Sequence, residues 1–156
     1  MSPAEAYNKC SFKKERIPEL EEIIATDPGY SYSYANTIIK GRFEKGEKII
    51  ITNYSYAYYY ALNVMKGRWE EGEPIISTHP ESSYLYAYYV LQGRFELGEK
   101  IIATHPESSY WYVRKIPNDS FGLFHSIILN SEFKIHYIDF LKSINYDLSE
   151  ISEWLI

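Results

Sequence analysis

Arg42-Phe43-Glu44-Lys45-Gly46-Glu47-Lys48-Ile49-Ile50 returns as Arg68-Trp69-Glu70-Glu71-Gly72-Glu73-Pro74-Ile75-Ile76, and again as Arg94-Phe95-Glu96-Leu97-Gly98-Glu99-Lys100-Ile101-Ile102. The spacing is 26 residues each time (68 − 42 and 94 − 68). A degenerate copy, Arg16-Ile17-Pro18-Glu19-Leu20-Glu21-Glu22-Ile23-Ile24, lies one step further upstream. A fixed period of this order marks a stacked-repeat architecture. One such unit cannot bury its apolar side alone, so neighbours must pile together, and the resulting arrays present surfaces more often than they enclose catalytic pockets.

Between the cassettes, Tyr56-Ala57-Tyr58-Tyr59-Tyr60-Ala61-Leu62-Asn63-Val64-Met65-Lys66 runs without a helix breaker up to Gly67. Gly41, Gly67 and Gly93 stand just past this segment in successive copies, where a left-handed helix stop is expected because glycine carries no Cβ. At the front, Thr26, Thr52, Thr78 and Thr104 are followed by Asp27-Pro28, Asn53-Tyr54, His79-Pro80 and His105-Pro106, the chemistry of a helix start with proline in the first turn. Each repeat therefore reads as a helix of about three turns, a tight turn, a shorter helix from 44 to 51 and its equivalents, and a Thr-x-Pro turn. Leu20 stands where Gly46, Gly72 and Gly98 stand. A bulky residue disfavours positive φ, so those glycines are expected to serve close helix approach instead.

At about 100° per residue, Ser31, Ala35 and Ile38 fall on one face of the first helix, with Tyr34 and Ile39 at its margins. The same sites read Ala57, Ser83 and Ser109; Tyr60, Tyr86 and Tyr112; Ala61 and Ala87; Val64 and Val90; Met65 and Leu91. This small-plus-apolar stripe is the expected core. Tyr32, Tyr58, Tyr84 and Tyr110 flank it and are expected to form a structural ladder, each ring packed on the next repeat.

The opposite face varies: Ser33, Tyr59, Leu85, Trp111; Asn36, Leu62, Tyr88; Thr37, Asn63, Tyr89. It becomes aromatic toward the later copies, which calls for a covering tail, a second copy of the chain or a foreign partner. Tyr59, Leu85, Tyr88, Tyr89 and Trp111 are the candidate protein-binding residues. Arg42, Arg68 and Arg94 recur with Glu47, Glu73 and Glu99, as Arg16 does with Glu21. Their matched charges suggest structural ion pairs and argue against a phosphate-binding ladder.

The ends are different. Ser2-Pro3-Ala4-Glu5 reads as a capping box opening an N-terminal cap helix within residues 1–15. The repeats cover 16–115. Over 116–156 the period is lost: Pro117-Asn118-Asp119-Ser120 is a break, residues 121–129, 132–144 and 148–155 look helical, and Asp147-Leu148-Ser149-Glu150 resembles a second capping box. This tail is expected to cover the open end of the array. The expected fold is all-α: a single domain forming a short, right-handed α-solenoid of 26-residue helical hairpins with helical caps at both ends.

The net charge of −5 among 156 residues argues against broad attraction to nucleic acid or anionic membrane. The single Cys10 cannot form an internal disulfide, so nothing indicates an oxidising compartment, and a soluble, cytoplasmic protein is the default expectation. No apolar run approaches the roughly 20 residues that span a bilayer, and the N-terminus lacks the pattern of a signal peptide. His79, His105, His125 and His136 show no metal-ligand spacing, and neither a phosphate loop nor a nucleophile elbow is present. The sequence predicts neither an enzyme nor a cofactor or metal.

The pattern Gly-Arg-aromatic-x-x-Gly-Glu-x-Ile-Ile, then Thr-x-Pro, then Tyr-x-Tyr-Ala, seen in Gly67-Arg68-Trp69 through Ile76 and in Tyr84-Leu85-Tyr86-Ala87, resembles a tandem repeat of proteins from large bacteriophages and giant DNA viruses. The resemblance covers roughly residues 16–113. It implies a viral accessory protein acting in the host cytoplasm on a host factor, which it would block or sequester. Beside this stand two other readings, a sponge for nucleotide-like small molecules and a binder of single-stranded nucleic acid, the last disfavoured by charge. A homo-oligomer is compatible with the exposed aromatic strip.

Overall fold

The computed structural model describes residues 1–117 and 121–155, and among them every regular element is a helix. The chain divides into two compact units, Met1–Thr78 and His79–Ile156. The first holds α1 (Pro3–Lys13), α2 (Glu21–Ile24), α3 (Pro28–Tyr34), α4 (Glu44–Ile50), α5 (Tyr54–Tyr60) and α6 (Glu73–Ile76). Short 3-10 turns, Pro18–Leu20 and Glu70–Gly72, lead into α2 and α6. Within this unit each long helix packs on the next, α1 on α3 and α3 on α5, and on the short helix that follows it. The second unit holds α7 (Pro80–Leu85), α8 (Glu96–Ile102), α9 (Pro106–Lys115), α10 (Gly122–Leu129) and α11 (Lys134–Ser143), and closes with a 3-10 segment, Leu148–Trp154. Here α7 packs on α8 and α9, and α9 on α10.

The helix starts follow from single side chains. Ser2 and Glu5 form a reciprocal capping box. Asp27 accepts from the Tyr30 N–H, Asn53 from those of Ser55 and Tyr56, and the Nδ1 atoms of His79 and His105 from those of Ser82 and Ser108. The preceding threonines act backwards. Thr26, Thr52, Thr78 and Thr104 each donate to a carbonyl of the short helix just ended, at Ile23, Ile49, Ile75 and Ile101, all at 2.7 Å. Ser31 and Ser109 satisfy the next carbonyls, Ile24 and Ile102. A Thr-x-Pro turn thus closes one helix and opens the next, supplying partners for groups that a helix end leaves unpaired.

The long helices end differently from the sequence expectation. No described glycine has positive φ. The left-handed residue is Lys40 (φ 56), Lys66 (φ 56) or Gln92 (φ 51), one position before Gly41, Gly67 and Gly93. The cause is a wide turn: α3, α5 and α7 run on into π-helical turns over Ala35–Ile39, Ala61–Met65 and Tyr86–Leu91. The glycine N–H then reaches back to Ala35, Ala61 or Ala87. Nothing in the structure requires glycine at position 67, where an added Cβ meets no atom within 4 Å. Gly67→Ala is therefore expected to leave stability unchanged or raise it by ~0.5 kcal/mol through the unfolded chain. Lys66→Gly is expected to stabilise by about 0.5 kcal/mol, because relief of left-handed strain outweighs the added chain freedom. Urea melts of the two variants check the reassignment; a loss above ~1 kcal/mol in Gly67→Ala would contradict it.

The π turn also shifts the last part of the core stripe. Ser31, Tyr34, Ala35, Ala57, Tyr60, Ala61, Ser83, Tyr86 and Ala87 are fully buried. Ile38, Ile39, Val64, Met65, Val90 and Leu91 are only half-buried, because a wider turn rotates them away from the 100° projection. The second isoleucine of each cassette, Ile24, Ile50, Ile76 and Ile102, is fully buried, each worth about 2 kcal/mol on transfer from water.

The tail packs on α9. Phe124 of α10 sits 5.3 Å from the Tyr112 ring, and Phe133 stacks on Tyr110 at 5.0 Å. Asp147 caps through Ser149 N–H, not as a capping box; Glu150 instead accepts from the Tyr146 hydroxyl. Of the expected break at Pro117-Asn118-Asp119-Ser120, all but Pro117 lies outside the described residues.

Candidate functional site

The most regular polar feature is a node in which a half-buried or buried glutamate joins an arginine and a tyrosine. Arg42 Nε and Nη2 donate to the two oxygens of Glu47 at 2.9 and 2.8 Å, and the Tyr60 hydroxyl donates to Oε1 at 2.8 Å. The same hydroxyl accepts from the Phe43 N–H at 2.8 Å. Arg94, Glu99 and Tyr112 repeat this in the second unit, with Tyr112 accepting from Phe95 N–H at 3.1 Å. Arg16, Glu21 and Tyr34 make a version with one arginine contact, and Arg68 pairs with Glu73. Burial pushes the Glu47 carboxyl up, but hydrogen bonds from Arg42 and Tyr60 outweigh it and hold it below its ordinary value. The Tyr34 hydroxyl, buried beside Glu21, is pushed up to about 12. The carboxyls of Glu21, Glu47 and Glu99 are all held below their ordinary value and each accepts from an arginine and a tyrosine, so these nodes brace the turn after a long helix and leave neither group poised as a base or nucleophile.

The repeat pattern pairs Arg with Glu but shows Tyr34, Tyr60 and Tyr112 only at the margin of the apolar stripe. The available signal was tyrosine in place of phenylalanine at a fully buried site, 13 residues after each glutamate (21 to 34, 47 to 60, 99 to 112).

The flanking tyrosines sit in several kinds of aromatic contact. Tyr32 meets Tyr56 and Tyr59 at 6.1 and 6.0 Å, and its hydroxyl accepts from Asn63 Nδ2 at 2.9 Å. Tyr58 is buried against Tyr59, Tyr84 stacks on Tyr88, and Tyr110 lies under Phe133.

The candidate contact residues fall in both units. In the first, Tyr59 is 42% exposed. In the second, Tyr89 is 53% exposed and packs edge-on against half-buried Tyr88 at 4.7 Å. Both rings line a cleft of about 340 Å³ with Gln92, Lys115 and Ile116. The Lys115 ammonium also stands 5.7 Å from the Trp111 ring, and the Arg114 guanidinium stands 5.9 Å from it. Leu85 is half-buried on α7 and does not line that cleft. Lys115, Gln92 and Ile116 gave no signal in the sequence, because they lie outside the variable sites of the repeat.

A separate cluster lies in the tail. His125 is buried, with Nδ1 2.9 Å from the Tyr137 hydroxyl and Nε2 3.0 Å from that of Tyr146, which donates to Glu150 at 2.5 Å. Since Tyr146 gives its proton to Glu150, Nε2–H must donate to Tyr146, and Nδ1 accepts from Tyr137. Burial holds the imidazole below its ordinary value, with the Glu150 charge opposing in part. The unfolded chain then binds the proton first, so stability is full above about pH 6.5 and falls as the pH drops through the lowered value. A Tm that declines between pH 7 and 5 in the wild type, and more gently in His125→Gln, is the expected result.

Among the described residues no cluster of His, Cys, Asp and Glu is arranged to hold a metal ion, and no helix is long and apolar enough to cross a membrane. No protein-family model, curated protein or solved structure matches this chain.

Proposed function

We propose that this chain is a non-catalytic protein-binding scaffold: a short α-solenoid whose aromatic strip grips a partner and blocks or sequesters it. The packing of α1 on α3 on α5 in one unit, and of α7 on α9 in the other, supports the solenoid reading. The observation that carries the binding surface is Tyr89. The same repeat site holds Thr37 and Asn63 in earlier copies, so the fold does not need an aromatic there. Yet this ring is left 53% exposed, in one cleft with Tyr88 and Lys115. Rigid tyrosine and tryptophan side chains beside a lysine make an interface anchor of low ordering cost. The likeness to phage and giant-virus repeats makes a host protein in the cytoplasm the natural partner.

Affinity purification from host lysate identifies the partner, and the paired change Tyr88→Ala with Trp111→Ala tests the face. Unchanged helical circular dichroism with at least ~100-fold weaker binding is expected, since two hot-spot aromatics are removed. Undiminished binding would overturn the reading. The small-molecule alternative rests on the same cleft, whose 340 Å³ lies near the small end of ligand pockets, roughly 300–1,000 Å³. Mononucleotides are expected to leave Tm unchanged; a concentration-dependent rise would favour the sponge instead.

A further inference from the structure

The first unit carries an apolar groove that the aromatic strip does not explain. Asn8, Lys9, Phe12 and Lys13 of α1 line it with Ile17 and Leu20 of the following turn, and it encloses about 600 Å³. Phe12 is 91% exposed and forms the apolar wall of this groove. The helix itself belongs to the repeat scheme: Lys14 closes it in the left-handed region at φ 53, as Lys40 does 26 residues later, and Arg16 pairs with Glu21 as Arg42 pairs with Glu47. Its start, Ser2, lies one residue closer to Lys14 than Asp27 does to Lys40, in keeping with the π turn that follows α3 and is lacking in α1. Counted from the helix start, buried Ala6 and Cys10 match Ser31 and Ala35. Lys9 then takes the place of Tyr34, whose hydroxyl reaches the short helix of the preceding repeat.

The other end of the chain has the matching character. Glu150 and Glu153 are exposed on the closing 3-10 segment and Asp147 at its start, exposed Ile144 and Leu155 flank it in the sequence, and no basic residue occurs from 143 to 156. An apolar groove rimmed by lysines is thus exposed in the first unit, and a ridge of exposed apolar and acidic side chains in the second. Lys13 pairs with Glu15 at 3.5 Å, but both side chains are more than half exposed, so this pairing is weak.

We infer that the α1 groove receives the C-terminal 3-10 segment of a second copy of this chain, with Phe12 against Leu155 and the Lys9 and Lys13 ammonium groups facing Glu153. The contact joins unlike surfaces, so it is heterologous and propagates head to tail unless the geometry closes a ring. It involves none of the aromatic strip and stands whether or not that strip binds a partner.

Sedimentation velocity over a concentration series tests it. The wild-type sedimentation coefficient is expected to rise with concentration beyond that of a dimer, and to fall back in high salt as the rim charges are screened. Phe12→Ser alters the groove, and Glu153→Lys with Leu155→Ser alters the ridge. All three positions are exposed, and circular dichroism confirms that each variant folds. Each variant alone is expected to associate at least about tenfold more weakly. An equimolar mixture is expected to form a 1:1 dimer and nothing larger, because only one intact groove and one intact ridge can meet. A wild type that stays monomeric throughout overturns the proposal. So does a ridge variant that associates like the wild type, since the groove would then hold something else, and so does a groove variant that does.

Discussion

Gly98→Ala is expected to cost about 3 kcal/mol, the upper end of the range for a single added methyl in a packed interior. A Cβ at Gly98 would stand 2.5 Å from the Phe95 ring on one side and 2.8 Å from Ser83 Cβ on the other. Neither neighbour can yield. Phe95 is buried against Tyr86, and the Ser83 Cβ is fixed to the backbone of α7. Gly46 is clamped in the same way between Phe43 and Ser31 Cβ, so Gly46→Ala should behave alike. The degenerate first copy shows the alternative solution: Ile17 replaces the ring and Leu20 replaces the glycine. Phe95→Ile with Gly98→Ala should therefore be less unstable than the sum of the two single changes, with a coupling of about 1–2 kcal/mol. Urea denaturation of the four chains measures it. Strict additivity would show that the glycine answers to something other than the ring.

That pairing explains why much of the fold was legible. The 26-residue period, the Thr-x-Pro turns and the capping residues each specify a local geometry, and all agree. Gly46 and Gly98 were readable as close-packing residues because Leu20 occupies their place in another copy. The π turns were not readable. Ala35-Asn36-Thr37-Ile38-Ile39 and Ala61-Leu62-Asn63-Val64-Met65 carry no residue that demands a wide turn, and a glycine one position later mimics the usual helix stop. The left-handed strain consequently fell on Lys40, Lys66 and Gln92, and the end of the apolar stripe rotated toward solvent.

The candidate site divides along similar lines. Tyr59 and Tyr89 could be proposed as exposed because their repeat sites vary, and variation between copies of one fold separates what packing requires from what it tolerates. Lys115 could not, since its approach to Trp111 and to the Tyr88–Tyr89 cleft depends on α9 lacking the π turn and left-handed cap of its predecessors. The polar nodes were half visible: charge matching revealed Arg and Glu, while the phenol entered only when its hydroxyl was seen to serve carboxylate and backbone together.

Glu99→Ala is expected to cost about 2–3 kcal/mol. The carboxylate is the acceptor for the Tyr112 hydroxyl and for two Arg94 nitrogens. Tyr112 is fully buried, so its hydroxyl would keep the Phe95 N–H but lose its own acceptor, the costly kind of unmet polar group. Arg94 is about a third exposed and can rehydrate, which keeps the loss below the ~3–5 kcal/mol of a wholly buried broken pair. Glu99→Gln retains an acceptor for Tyr112 and should cost only about half as much. It also separates charge from hydrogen bonding through pH. Hydrogen bonds from Arg94 hold the Glu99 carboxyl below its ordinary 4.5 against the opposing effect of burial. The unfolded chain therefore takes up the proton first as acid is added, so the stabilisation is complete above pH 4.5 and is lost as the pH falls through the lowered value. The wild type should lose stability faster than Glu99→Gln in that acid window and match its slope at neutral pH. Parallel curves throughout would mean that the charge of Glu99 contributes nothing beyond its hydrogen bonds.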